Sequence, residues 1–204
     1  PWTIEGWFFF DGAKLTSNTT TLSSTKLFAN YNSSTGTGTN WDVGVYFSGS
    51  GSGDNALYNF YWKNNASSNT GSGQAGNSSS GFVLLQTAKS NFCDNAWHHI
   101  ALTRSSSNGA IKFYLDGQLS SATASNQLIE NDINDATNKD FSIGYHSHTN
   151  VGTGWFDGNI DDIRVSNIER YTSGFTPPSS ALPITGSTTT VITPPNSKIG
   201  ELAL

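Results

Sequence analysis

Residues 97–117 read Trp-His-His-Ile-Ala-Leu-Thr-Arg-Ser-Ser-Ser-Asn-Gly-Ala-Ile-Lys-Phe-Tyr-Leu-Asp-Gly, and few architectures accept such a stretch. His98, Ile100 and Leu102 alternate along one face of a first strand, and Ile111, Phe113 and Leu115 along one face of a second. Between them Ser107-Asn108-Gly109 tolerates the positive φ that a tight reversal needs. Asp116-Gly117 then turns the chain again into Gln118-Leu119-Ser120. The result is a three-stranded antiparallel meander whose apolar face the rest of the chain must cover. Trp97, Ile100, Leu102, Phe113, Leu115 and Ile163 are expected in that core.

The remaining segments supply the cover. Thr3 to Phe10 begins with alternation and ends in Trp7-Phe8-Phe9-Phe10, apolar on both faces, which predicts a central strand with material on each side. Further strands are read at 26–31, 41–47, 56–62, 81–86 and 141–145, with a closing strand within 155–165. Trp41, Val43, Val45 and Phe47 fall on one face of theirs, opposite Asp42, Gly44 and Tyr46. Tyr58, Phe60 and Trp62 likewise oppose Leu57 and Tyr61. A single helical turn is expected over Ile168–Thr172. The polar stretches 63–80 and 123–140 are long enough to be functional loops.

At 204 residues this fits one all-β domain, a two-sheet antiparallel β-sandwich, and six Trp, seven Tyr and twelve Phe supply bulk for its core. From Pro177 the composition shifts to Pro, Ser and Thr. Residues 1–183 are therefore assigned to the domain and 184–204 to a linker or the start of a further segment. The chain has no initiator Met and opens almost directly in a strand. The expectation is a piece of something longer, with the sandwich's first strand missing and an edge left unpaired. The net charge of −5 lacks the basic footprint that nucleic acid demands, and no apolar run approaches a bilayer span. Cys93 is alone, so the domain contains no internal disulfide, which favours assembly in a reducing cytoplasm. Sequons at Asn18, Asn32, Asn65 and Asn77 are what a chain so rich in Asn, Ser and Thr holds by chance.

Three motifs, in this order and spacing, resemble the laminin-G-like, concanavalin A-like jelly-roll domains. They are Trp97–Ala101 followed by Ile111–Gly117, the closing Phe156-Asp157-Gly158-Asn159-Ile160-Asp161-Asp162-Ile163-Arg164-Val165, and the ending Arg170-Tyr171-Thr172-Ser173-Gly174-Phe175-Thr176-Pro177-Pro178. The last is similar to the form found in bacteriophage tail and other virion proteins. The resemblance covers roughly residues 1–183 and implies a jelly roll. That fold hosts lectins, hydrolases and structural modules alike, so function has to come from a site.

Glycan hydrolysis needs two carboxylates across the scissile bond. The glucanases of this fold carry them as Glu-x-Asp-x-x-Glu on one strand. Here the only glutamates are Glu5, Glu130, Glu169 and Glu201, none within five residues of another, and Asp161 and Asp162 are adjacent on a strand. No enzyme activity is expected. Cys93 lacks a base-orienting pattern, His98-His99 reads as a structural, hydrogen-bonded pair, and His146 and His148 lack a third zinc ligand. Relatives often hold calcium at the rim, and the resemblance makes Asp132, Asp135, Asp140 and Asp157 the candidates for it. Tyr46, Tyr58, Trp62 and Trp155, beside Asn-rich loops, are candidate rings for stacking on sugars. The sequence therefore points to a non-catalytic module on a virion surface (tail, fibre or capsid decoration). Its expected partners are other copies, other virion proteins and cell-surface glycan. The alternative is an extracellular carbohydrate-binding module of a secreted bacterial enzyme or adhesin.

Overall fold

A computed structural model describes residues 1–12, 25–32, 39–48, 50–64, 82–105, 107, 109–120, 139–145 and 155–180. Ten strands follow in chain order: β1 (Trp2–Phe10), β2 (Thr25–Asn32), β3 (Thr39–Phe47), β4 (Leu57–Asn64), β5 (Phe82–Ala88), β6 (Trp97–Arg104), β7 (Ile111–Leu115), β8 (Gln118–Leu119), β9 (Lys139–Ile143) and β10 (Gly158–Ser166). They form two antiparallel five-stranded sheets, ordered β10-β1-β6-β7-β8 and β5-β4-β3-β2-β9. The sheets stack edge over edge. Ser120 Oγ donates to the Leu84 carbonyl beside β8 and β5, and the Phe156 amide to the Gly144 carbonyl beside β9 and β10.

The meander is present, with Leu102 paired to Phe113 and Tyr114 to Leu119. Ile100, Leu102 and Phe113 are buried, and Leu115 and Ile163 pack partly buried against the core. Trp97 faces the other way, edge-on to Phe9 at 5.9 Å. The predicted central position of β1 holds, between β10 and β6. Ile4, Phe8 and Phe10 are its buried inner residues, and Phe8 and Phe10 meet Phe28, Phe60 and Phe92 across the sandwich in edge-to-face contacts of 5.0–6.3 Å. Such aromatic pairs add a little beyond their buried area.

The outer face of β1 is covered as well, and the predicted helical turn at Ile168–Thr172 is absent. Residues 167–178 instead run as an irregular strap across the outside of the first sheet. Groups of that sheet take the hydrogen bonds a helix would have kept. Thr3 Oγ1 bonds the Ile168 carbonyl at 2.8 Å and accepts from the Arg170 amide at 3.0 Å. Thr103 and Tyr114 hydroxyls both donate to the Tyr171 carbonyl. Phe175 stacks on Tyr171, centroids 3.5 Å apart and nearly parallel, and its amide donates to the Gly117 carbonyl. Gly117, at φ +74°, is required here because a Cβ would sit 1.9 Å from the Phe175 carbonyl oxygen.

Candidate functional site

Among the described residues, large apolar side chains remain bare mainly along one flank. Phe141 and Ile143 on β9, Val165 on β10, and Trp155 just before it are exposed, with Trp155 the most so at 60%. The turn after β9 explains why Trp155 stands where it does. Gly144 takes φ +67° at the end of β9, and Ile160 and Phe156 crowd the space that its missing Cβ would fill. The Phe156 amide bonds the Gly144 carbonyl at 2.8 Å, while Ser142 Oγ holds the Tyr145 carbonyl at 2.8 Å. Phe156 turns inward onto Phe8 and Phe10. Its neighbour Trp155 is thereby directed outward, over Tyr145, with ring centroids 4.3 Å apart and planes inclined by 32°. One broad indole face, backed by a second ring, is the kind of surface that stacks on the apolar face of a sugar or a partner's side chain.

The other predicted rings are placed differently. Tyr58 and Trp62 are core residues, 2% and 5% exposed; Trp62 stacks on Trp2 at 5.8 Å, and Tyr58 packs on Phe47 and Phe92. They share the inner face of β4 with Phe60, so neither offers a ring to solvent. Position 46 pairs with Asn59 across β3 and β4, and its side chain lies outside the described residues. Of the calcium candidates, Asp132 and Asp135 also lie outside them, and Asp140 is described only in its backbone on β9. Asp157 is partly buried, and its carbonyl accepts from the Asp11 amide at 3.0 Å. Among the described residues no three His, Cys, Asp or Glu side chains come together as a metal site. His146 and His148 fall outside as well.

The charged groups form structural clusters that reading along the chain missed. Under the strap, the fully buried Glu5 accepts from Arg164 at 2.7–2.8 Å and from the Tyr171 hydroxyl at 2.6 Å. His99 Nε2 stands 3.3 Å from the same carboxylate, close enough for attraction but misaligned for a hydrogen bond. Burial pushes the Glu5 carboxyl up, yet His99, Tyr171 and Arg164 together hold it below its ordinary value. Burial, then the Glu5 charge, pushes the Tyr171 phenol up. Beside this cluster Lys112 bonds Glu169 at 2.9 Å. On the outer face of the second sheet, Lys26 reaches Asp42 at 3.0 Å and the Tyr61 hydroxyl. Cys93 is half-buried with its Sγ toward the Phe10 carbonyl, and burial pushes its thiol up. In all of these the polar atoms face one another.

A comparison with protein families matches residues 2–172 to a laminin-G-type family described as the concanavalin A-like lectin/glucanases superfamily. The curated proteins contain no match to the chain.

Proposed function

The chain belongs to the concanavalin A-like lectin/glucanase superfamily, and on that premise we propose that it is a non-catalytic recognition module of a virion structural protein (tail, fibre or capsid decoration). The observation that carries this reading is Trp155, a large ring left bare on a flank already apolar and propped from behind by Tyr145. The pairing of Glu5, Asp42 and Glu169 with cations supports the non-catalytic part. The virion setting rests on the ending Tyr171–Pro178, which in this fold resembles virion proteins. The ligand class is cell-surface glycan, with neighbouring subunits along the same flank. A carbohydrate-binding module of a secreted bacterial enzyme or adhesin would use the same ring, and neighbouring genes separate the two settings.

Titration with host-envelope oligosaccharides, followed by tryptophan fluorescence, tests the site. Trp155→Ala should weaken binding at least roughly tenfold, the loss expected for one anchoring ring. Because Trp155 is exposed, the same change should alter stability by less than about 0.5 kcal/mol. Unchanged affinity in that variant would move the site elsewhere.

A further inference from the structure

His98 is 7% exposed at the end of β6 nearest the turns, and both of its ring nitrogens meet carboxylates. Nδ1 stands 2.7 Å from Asp116 Oδ2 and Nε2 2.9 Å from Asp94 Oδ1. Only an imidazolium donates from both nitrogens. A neutral ring would keep one N–H and turn a lone pair on the other carboxylate. We propose that protonated His98 is a latch that holds the loop Lys89–Ala96 against the sandwich, and that loss of its proton releases the Asp94 arm of the latch.

The two arms are unequal. Asp116 is fixed: it sits at φ +50° in the turn after β7, its Oδ1 accepts from the His99 amide, and its own amide bonds the His99 carbonyl. Both carboxylates reach solvent, with 45% of the Asp94 side chain and 42% of the Asp116 side chain exposed, but the further bond at Asp94, from the Ala96 amide to the same Oδ1, lies within its own loop, so Asp94 can exchange His98 for water. The neutral ring therefore keeps its proton toward Asp116 and lets Asp94 go. The loop that Asp94 restrains carries Phe92, fully buried against Phe10, Tyr58 and Phe60, and next to it Cys93. Its other ties include the Lys89 amide to the Ala56 carbonyl, Lys89 Nζ to the Gly12 carbonyl, Asn91 Nδ2 to Thr87 Oγ1 and Cys93 Sγ toward the Phe10 carbonyl.

The groups facing His98 are those two carboxylates. The register partner on β1 is the uncharged Phe8, while Lys89, Asp11, Asp54 and Asp94 itself act on Cys93. Linkage agrees in sign. Burial lowers the imidazole's proton affinity, Asp116 and Asp94 raise it by more, and the net value is above the ordinary 6.5. A group raised on folding stabilises fully below 6.5 and loses that contribution as pH climbs through the folded value.

Cys93, the chain's single cysteine, reports the opening directly through its rate of reaction with a disulfide reagent. Asp94 itself helps to raise the Cys93 thiol, so each variant's rate is divided by its own thiolate fraction, read from thiolate absorbance in a pH titration of that variant. At about pH 6, His98→Gln and Asp94→Asn should react roughly tenfold faster than the unmodified chain, as expected for a lost charge-assisted contact. At about pH 9 all three should converge, because the latch is already open. Asp94→Asn changes a surface residue and guards against a folding defect in the first variant. An equal acceleration at both pH values would make His98 merely structural, and no acceleration at either would remove the latch; each result overturns the proposal.

Discussion

Replacing Glu5 with alanine should be among the most damaging single changes in this chain, at about 3–5 kcal/mol, because it strands the partly buried Arg164 guanidinium and the Tyr171 hydroxyl. For a domain of this length that corresponds to a fall in Tm on the order of 10 °C. The cost arises from breaking a buried pair and not from the pair's net worth. The joint change Glu5→Leu with Arg164→Met should therefore recover most of the loss. Glu5 also sets the acid limit. Its carboxyl titrates lower in the folded chain than its ordinary 4.5, so its stabilisation is complete above that value and disappears as pH falls through the folded value. Thermal melts of the three chains between about pH 3 and pH 7 check both points. A Glu5→Ala loss below about 1 kcal/mol would mean that the strap does not shield this cluster.

Phe113→Ala should cost about 3–5 kcal/mol by a different route. Phe113 is 1% exposed, paired with Leu102 and 5.0 Å from Phe60 across the sandwich. Removing its ring leaves a cavity between sheets that are each pinned by their own ladders and cannot collapse into it. Denaturant unfolding gives the number, and a loss well under 1 kcal/mol would show that the inward face of β7 had been assigned the wrong way round.

The strands were legible because alternation is local. The faces of β3 and β4 follow from residue parity alone, and Asn-Gly and Asp-Gly mark the reversals around β7. That same parity puts Tyr58 and Trp62 beside Phe60, which implies their burial and argues against them as sugar-binding rings. What could not be read was pairing at long range. Glu5 and Arg164 are 159 residues apart, and no periodicity joins them. The available signal was a lone carboxylate in a strand apolar on both faces, since such a group has to meet a cation. The strap has no repeat of any kind and its shape is imposed by the sheet, which is why a helical turn was expected there. The Tyr145–Trp155 pair depends on a backbone turn at Gly144 and on Phe156 taking the inward position. Neither is visible in the sequence.

Recognition without catalysis can be tested in one assay. The full chain is incubated with β-glucans, galactans and host envelope polysaccharides, and bound polymer and released reducing ends are measured in the same samples. Binding that requires Trp155, with no reducing ends released, is the predicted result. Sustained release of reducing ends, abolished by mutating a single carboxylate, would contradict it.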